Sequence, residues 1–272
     1  MNEVPRSAGR SLFGEDPEGY DRGRPDYPAW VFDSLQSSGA LFDGAVTLEI
    51  GPGTGLATRH LIDRGSNPIT LVEPDKRLAA YLRRLIESVP PDTASNLKTC
   101  SFEDADLRSA QLDLIVAATA FQWVEPTEGL HKVRQILKPG GTLALFWNLF
   151  QDVDKPDPFH EATRSLLAPL ASSPSGAPHS MPYALDRQNR ENDAARAGLA
   201  LHSYQESRWT YELSAEDIAC LYGNFSQIQR LAASERSDLL EALVNIARTQ
   251  FDGRVQRNMT TCLYQFRPGD SA

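Results

Sequence analysis

The stretch that decides the fold is LEIGPGTGL, residues 48–56. A short β-prone run leads into three alternating glycines, and a helical pattern follows from Ala57 to Arg64. Glycine is needed where the backbone takes a positive φ or where a ligand must approach the main chain closely. A plain Gly-Pro-Gly turn between strand and helix is the simpler alternative. The spacing differs from the G-x-G-x-x-G of dinucleotide sites, because Leu56 stands where the third glycine would fall.

Two carboxylates accompany this glycine loop. Glu49 lies beside it, where it would repel a pyrophosphate and attract an amino group or a sulfonium, so the pattern suits a nucleoside ligand without phosphates. Glu73 ends the next predicted strand, 22 residues beyond Gly51. A carboxylate at that position can accept hydrogen bonds from both ribose hydroxyls. The alternative for Glu73 is a charge that stabilises the start of a helix.

Strands and helices alternate on both sides of the loop. Strands are predicted at 46–50, 69–73, 97–102, 112–117 and 142–147, and the helical patterns between them at 57–64, 75–89 and 127–137, the last capped by Thr127. This alternation predicts βαβ units and a parallel sheet with helices on both faces. Later elements are predicted as a strand at about 203–211, helices at about 215–222 and 234–249, and a final strand at 255–266.

Changes in composition and periodicity along the sequence suggest four parts. Residues 1–28 read as an irregular lead-in before a short helix at about 28–38, and prolines break the βα rhythm after Asn148. We therefore expect an N-terminal cap segment at 1–40, a nucleoside-binding core at 41–150, a substrate-side lid insertion at 151–200 and a C-terminal part at 201–272 that completes the sheet.

Composition narrows the classes of function. The chain has 272 residues and a net charge of −9, and its basic residues are scattered, so no nucleic-acid partner is predicted. No apolar run approaches the ~20 residues of a membrane span, and no secretory signal is recognised. The three cysteines are far apart, without the spacing of a disulfide framework or a metal site. We expect a cytoplasmic protein without metal.

Four motifs in order resemble those of the class I S-adenosylmethionine-dependent methyltransferases: LEIGPGTG at 48–55, LVEP at 71–74, CSFEDADL at 100–107, and the segment 112–124 followed by LKPGG at 137–141. The resemblance is strong over 46–147 and weaker over the last 70 residues. It implies a Rossmann-like, doubly wound sheet of seven strands with the last one antiparallel. It also implies S-adenosyl-L-methionine as the methyl donor and S-adenosyl-L-homocysteine as the product.

The resemblance also implies which residues bind the donor. Glu73 would hold the ribose, and Phe102 and Glu103 would frame the adenine, although the family more often has Asp at position 102. The segment 20–28 resembles the Y-x-x-x-R-P-x-Y-P lead-in of a small-molecule branch. There Arg24 offers a planar fork for the methionine carboxylate, unless it only pairs with an Asp on a surface loop. The cofactor-binding set is Tyr20, Arg24, Glu49, Gly51, Pro52, Gly53, Gly55, Glu73, Pro74, Phe102, Glu103, Ala117 and Ala118.

The acceptor side is less defined, because methyl transfer from a sulfonium mainly requires alignment and exclusion of water. A general base helps only an acceptor that arrives protonated. No catalytic residue is identified; the candidates are Gln122, where related enzymes often have His, and His160, His179 and Tyr183 in the lid. Substrate contacts are expected from Tyr27, Phe121, Gln122, Trp123, Trp147 and Asn148. Alternatively, Phe121 and Trp123 only pack under the lid, and Asn148 only caps a turn.

The sequence therefore predicts an enzyme that methylates a small organic acceptor, with a specialised metabolite as one option. The first alternative is an NAD(P)-dependent reductase, which Leu56 and the lack of a Tyr-x-x-x-Lys pair disfavour. The second is a non-catalytic nucleoside-binding protein, which Gln122 in place of a base leaves open. The sequence does not reveal the identity of the acceptor, the atom that is methylated or the oligomeric state.

Overall fold

Seven strands form one sheet in the computed structural model, which describes residues 4–89, 93–176 and 181–269. The strands are β1 (Ala45–Ile50), β2 (Ser66–Val72), β3 (Ser95–Lys98), β4 (Leu112–Ala118), β5 (Leu137–Leu149), β6 (Leu199–Ser214) and β7 (Arg254–Pro268). Their spatial order is β3-β2-β1-β4-β5-β7-β6. The first five strands run parallel, and β7 is antiparallel to both β5 and β6. The predicted fold class is confirmed.

Helices lie on both faces of the sheet and beyond its edge. They are α1 (Arg6–Gly9), α2 (Pro17–Gly23), α3 (Ala29–Ser37), α4 (Leu56–Asp63), α5 (Lys76–Ser88), α6 (Pro126–Ile136), α7 (Pro158–Leu167), α8 (Arg187–Arg196), α9 (Ala215–Gly223), α10 (Ser226–Gln229) and α11 (Ala233–Gln250). None of the helices in the described residues is both long and apolar enough to traverse a lipid bilayer.

Three hydrophobic clusters hold these elements together. The central strand β4 alternates between two of them, with Leu114 and Val116 in one and Ile115 in the other. Since successive side chains of a strand point to opposite faces, these two clusters are the two covered faces of the sheet. The third cluster packs α7 against α9 and α11 through residues such as Phe159 and Leu243. This cluster is separate from the two clusters that cover the sheet. We call the three helices α7, α9 and α11 the helical cap.

The N-terminal lead-in, predicted to be irregular, contains the short helices α1 and α2. The carboxylate of Asp16 accepts a hydrogen bond from the Gly19 N–H at 2.9 Å, and Pro17 occupies the first turn of α2. Such a cap and a proline at that position together favour helix initiation. The segment 151–200 likewise contains helices, α7 and α8. α7 starts in the same way, with Asp157 as its cap and Pro158 in its first turn.

Two predicted boundaries are wrong for identifiable reasons. The strand predicted at 97–102 ends at Lys98, which pairs with Val72. β2 cannot continue beside it because Pro74 has no N–H to donate, so residues 100–102 form a loop. The helix predicted to be capped by Thr127 is capped by Glu125, whose carboxylate accepts a hydrogen bond from the Glu128 N–H at 2.8 Å.

Candidate functional site

A cavity of about 660 Å³ lies at the carboxyl ends of β1, β2, β4 and β5. Open α/β sheets bind ligands at this edge, next to the point where the strand order reverses, here between β1 and β4. The N-terminal segment and the helical cap close the cavity from the other side. Its volume is in the range of small-molecule and cofactor sites.

The glycine loop after β1 forms the floor of the cavity. Gly53 has a φ of +61°, and a Cβ built on it would have only the Tyr20 ring within reach, at 3.9 Å. The space above Gly53 is therefore open for a ligand to contact bare main chain. Gly55 has a φ of +89° but faces away, because a Cβ there would collide with Leu85 of α5. Gly55 thus allows α5 to pack closely and does not line the cavity.

Glu73 lies at the end of β2 and is only 3% exposed. Its carboxylate accepts hydrogen bonds from the Gly53 N–H at 3.0 Å and the Asp75 N–H at 2.9 Å, one on each oxygen. An ionised carboxylate has about four lone-pair sites, so one on each oxygen remains for a ligand. Burial raises the pKa of Glu73 to about 7, and the two backbone N–H groups oppose this effect.

Glu49 and Arg24 are opposite charges on the cavity wall, and each has a buried atom without a partner among the described residues. Glu49 accepts a hydrogen bond from the Thr58 hydroxyl at 2.6 Å on one oxygen, and its Oε1 is left over. Burial raises the pKa of Glu49 to about 7, and the nearby charge of Glu73 adds to it. An unsatisfied buried polar atom is costly, so a ligand that satisfies it is favoured.

The guanidinium of Arg24 lies among three aromatic rings. Its Cζ is 5.0 Å, 5.1 Å and 5.3 Å from the ring centres of Tyr20, Phe150 and Phe225. One terminal nitrogen donates to the Asn224 carbonyl oxygen at 2.9 Å, and the Nε has no partner in the described structure. The rings hold the guanidinium in place while its Nε stays free to donate.

A lysine on α6 organises the loop after β3. The Lys132 ammonium donates to the carbonyl oxygens of Phe102, Glu103 and Ala105 at 2.8 Å, 2.8 Å and 2.5 Å. Partial burial lowers the pKa of Lys132. These contacts fix Phe102 and Glu103 at the cavity wall. Arg10 holds the Glu103 carboxylate from the other side at 2.6 Å.

Two amide side chains at the cavity are occupied by the protein itself. Gln122 accepts a hydrogen bond from the Trp147 indole at 2.8 Å and donates to the Thr119 carbonyl oxygen at 3.0 Å. Asn148 accepts a hydrogen bond from the Thr261 hydroxyl at 2.7 Å and donates to the Asp26 carbonyl oxygen at 3.2 Å. Both amides therefore help to fix the shape of the wall.

Two of the three lid candidates line the cavity. His160 and Tyr183 both line it, and His179 lies outside the described residues. Burial, helped by the positive charge of Arg257, lowers the pKa of His160, so the imidazole is neutral at pH 7. Burial raises the pKa of Tyr183, which keeps its phenol protonated. The cavity wall therefore includes a neutral base and a neutral hydrogen-bond donor.

Sequence reasoning missed a buried network behind His160. Arg257 of β7 pairs with Asp157 at 3.0 Å, and both side chains are 2% exposed. The same guanidinium donates to the Tyr222 hydroxyl and to the Phe150 carbonyl oxygen. The network joins the ends of β5 and β7 to α7 and α9. Its partners are far apart in the sequence, so no local pattern indicates them.

Sequence reasoning also missed the lining residues Arg10 and Phe13. Arg10 donates to the Trp123 carbonyl oxygen at 2.7 Å, and the Phe13 ring packs edge-to-face against Trp123 and Tyr20. Neither residue belongs to a recognisable motif. The aromatic contacts of Phe13 form only on folding, so no signal in the sequence indicates that Phe13 lines the cavity.

Most of the predicted site residues line this one cavity. The lining includes Tyr20, Arg24, Tyr27, Glu49, Gly51, Pro52, Gly53, Glu73, Pro74, Phe102, Glu103, Ala118, Gln122, Trp123, Trp147, Asn148, His160 and Tyr183. Gly55, Ala117 and Phe121 lie outside the lining. Ala117 and Phe121 are buried in the core beneath it, because their side chains point into the covered face of the sheet.

Comparisons with known proteins agree with this geometry. A family model described as a methyltransferase domain matches residues 48–145. An uncharacterised methyltransferase of Mycobacterium tuberculosis is 34% identical over 136 residues, 50% of this chain and 51% of that protein. The match to this relative thus spans about half of its length. An uncharacterised methyltransferase of Schizosaccharomyces pombe is 26% identical over 260 residues, 93% of this chain and 95% of that protein.

A solved structure shares the fold. It is phosphoethanolamine N-methyltransferase 2 of Haemonchus contortus, in complex with phosphomonomethylethanolamine and S-adenosylhomocysteine. The TM-score is 0.53 at 12% identity, over 97% of this chain and 58% of that chain. At this identity the likeness concerns the fold alone.

Proposed function

We propose that this chain, which belongs to the class I S-adenosylmethionine-dependent methyltransferases, transfers the methyl group of S-adenosylmethionine to a small organic acceptor and releases S-adenosylhomocysteine. A specialised metabolite is the acceptor class that the small-molecule lead-in at 20–28 favours. The three cysteines are free thiols, which fits our proposal that the protein works in the reducing cytoplasm.

The pair of unsatisfied charges on the cavity wall carries this proposal. The amino acid end of S-adenosylmethionine is a zwitterion, with an ammonium and a carboxylate on the same carbon. Within the described part of the chain, Glu49 Oε1 has no partner and is available to the ammonium, and Arg24 Nε has none and is available to the carboxylate. A pyrophosphate at the glycine loop would instead meet the buried carboxylate of Glu49, which disfavours the NAD(P)-dependent alternative.

The remaining donor contacts follow from the cavity wall. We propose that Glu73 accepts hydrogen bonds from the ribose hydroxyls through its two free lone-pair sites. The open space above Gly53 admits the nucleoside, and Phe102 packs against the adenine. When bound, the donor supplies a methyl group already activated on a sulfonium. The protein therefore needs to orient the acceptor and exclude water.

His160 is our candidate for the general base when the acceptor arrives protonated. Its imidazole is neutral because burial lowers its pKa, and it lines the same cavity as Glu73 and Gly53. A neutral imidazole can accept a proton, whereas the amide of Gln122 cannot. Gln122 instead orients Trp147 through its hydrogen bond.

Calorimetric titration of S-adenosylhomocysteine into the full chain tests the donor site. We expect Glu49→Gln and Arg24→Met each to weaken binding about tenfold or more, because each removes a charge-assisted hydrogen bond. The matched control is Arg22→Met, since Arg22 is exposed and contacts Cys220 outside the cavity. If titration of the wild-type chain produced neither heat nor a thermal shift, the proposal would be refuted. Methyl transfer to a panel of acceptors then distinguishes an enzyme from a nucleoside-binding protein without turnover.

A further inference from the structure

The outer edge of β6 is open in the part of the chain that the structure describes. β6 is the terminal strand of the sheet and has 16 residues; among the described residues it pairs only with β7. A long edge strand exposes backbone N–H and C=O groups that can pair with another strand. The sequence of β6 contains neither proline nor glycine, so nothing in it interrupts such pairing.

The regular part of this edge starts after a bulge. The ladder between β6 and β7 shifts register between Leu201 and Ser203, and it then runs without interruption from Ser203 to Ser214. A bulge disrupts regular pairing, so the segment available to a second strand begins at Ser203. The segment includes Trp209 and Tyr211, residue types that favour strands.

A second copy of the chain fits this edge in an antiparallel arrangement around a two-fold axis. Such an axis stands perpendicular to the sheet, so each face of the sheet continues on the same side. Directly opposite residues then point to the same face. Since side chains alternate between the two faces along a strand, two opposite residues must both have even or both have odd numbers, and the sum of the two numbers is even. The possible centres of symmetry near the middle of the segment are therefore single residues.

Charge selects one of these centres. With the axis at Ser207, Glu206 lies opposite Arg208 of the second copy, and the pair occurs twice. With the axis at Glu206 or at Arg208, that residue would lie directly opposite itself, and like charges in that position destabilise a sheet. The adjacent registers are thus disfavoured, and the register centred on Ser207 is stabilised.

The side chains are already arranged for this contact. Glu206 and Arg208 lie on the same face of β6, with Oε1 and a terminal guanidinium nitrogen 3.1 Å apart. Arg208 is half-exposed and also contacts Asp152 at 3.3 Å and Asp154 at 2.5 Å. It is therefore held next to the edge by acidic neighbours and keeps donors for a carboxylate of the second copy.

We propose that the chain forms a two-fold dimer through β6, centred on Ser207, in which the two seven-stranded sheets join into one. The paired segment runs from Ser203 to Tyr211. Because one strand pair buries less surface than a standard protein interface, we expect a dissociation constant in the micromolar range.

Sedimentation velocity of the full chain at about 1–100 µM tests this proposal. The wild-type chain should shift from monomer to dimer across the series. Glu206→Arg and Arg208→Glu should each weaken dimerisation about tenfold or more, because each replaces two attractive pairs with two repulsive ones. The double variant E206R/R208E should recover the dimer, since it restores opposite charges in the same register.

The matched control is Glu212→Arg, which makes the same charge change on β6 outside the paired segment and should leave the dimer intact. Circular dichroism melting shows whether each variant is folded. A wild-type chain that stays monomeric throughout the series overturns the proposal. So does a dimer that the double variant fails to restore, because the Ser207-centred register requires that rescue.

Discussion

Below pH 7, binding of the donor should release protons, because two carboxylates that are largely protonated in the free protein at such a pH have to be ionised in the complex. Burial raises the pKa of both Glu49 and Glu73 to about 7 from an ordinary value of 4.5. An ammonium next to Glu49 and hydroxyl donors on Glu73 both favour the charged form. We therefore expect ligand binding to return each pKa towards its ordinary value.

The magnitude follows from the two pKa values. Moving from 4.5 to about 7 corresponds to about 3 kcal/mol for each carboxylate. In the free protein the folded state binds more protons than the unfolded state between these values, so its stability falls as the pH rises from about 4.5 to about 7. The affinity for S-adenosylhomocysteine changes with pH in the opposite direction. It rises between about pH 4.5 and 7 and levels off above pH 7.

Calorimetry at pH 6 in two buffers with different ionisation enthalpies measures the released protons. We expect between one and two protons per bound S-adenosylhomocysteine at pH 6 and close to none at pH 8. Glu49→Gln and Glu73→Gln should each remove about one. Glu216→Gln is the control, because Glu216 is exposed and an Arg248 hydrogen bond lowers its pKa. No proton release at pH 6, or an affinity that falls as the pH rises, would refute this reasoning.

Two further substitutions test residues that have no motif. Lys132→Met keeps the aliphatic stem but removes three hydrogen bonds to the loop at 102–105. Calorimetry should therefore show that S-adenosylhomocysteine binds about 1–3 kcal/mol more weakly. Lys138→Met is the control, because Lys138 pairs with Asp113 away from the cavity. Asp157→Ala should destabilise the fold by about 3–5 kcal/mol in urea unfolding, because it leaves the buried charge of Arg257 unpaired. An exposed-pair control, Glu161→Ala, should cost no more than about 1 kcal/mol, and equal losses for the two variants would contradict a special role for Asp157.

The sheet could be predicted because its signals are local. The nearly continuous apolar run of β4 requires cover on both faces, and the structure places neighbouring residues of that run in two separate cores. The glycine loop and Glu73 are also local signals, since each follows directly from the end of a strand. The errors concern boundaries that depend on a neighbouring strand or cap, as with β3, which ends at Lys98 opposite the last residue of β2, Val72.

The closing side of the cavity could not be predicted in the same way. Arg10 meets Glu103 and Trp123, and Arg257 meets Asp157, across about a hundred residues of chain. Such contacts depend on how separate elements dock, and neither periodicity nor spacing within a segment encodes them. Gln122 shows the same limit, because it was predicted as a substrate contact and the sequence does not reveal its hydrogen bonds to Trp147 and Thr119.

The walls of the cavity come from different parts of the chain. The wall with Glu73 and the glycine loop lies within residues 48–145, which the methyltransferase family model matches, whereas His160 and Arg257 lie beyond it. The helical cap has its own hydrophobic cluster, so its cavity-facing side chains can change without disturbing the sheet. Substitutions in the cap can therefore change the acceptor side of the cavity while the sheet stays intact. The donor site, whose geometry depends on backbone and buried carboxylates of the sheet, should bind S-adenosylhomocysteine equally well in variants that differ only at His160 or Tyr183.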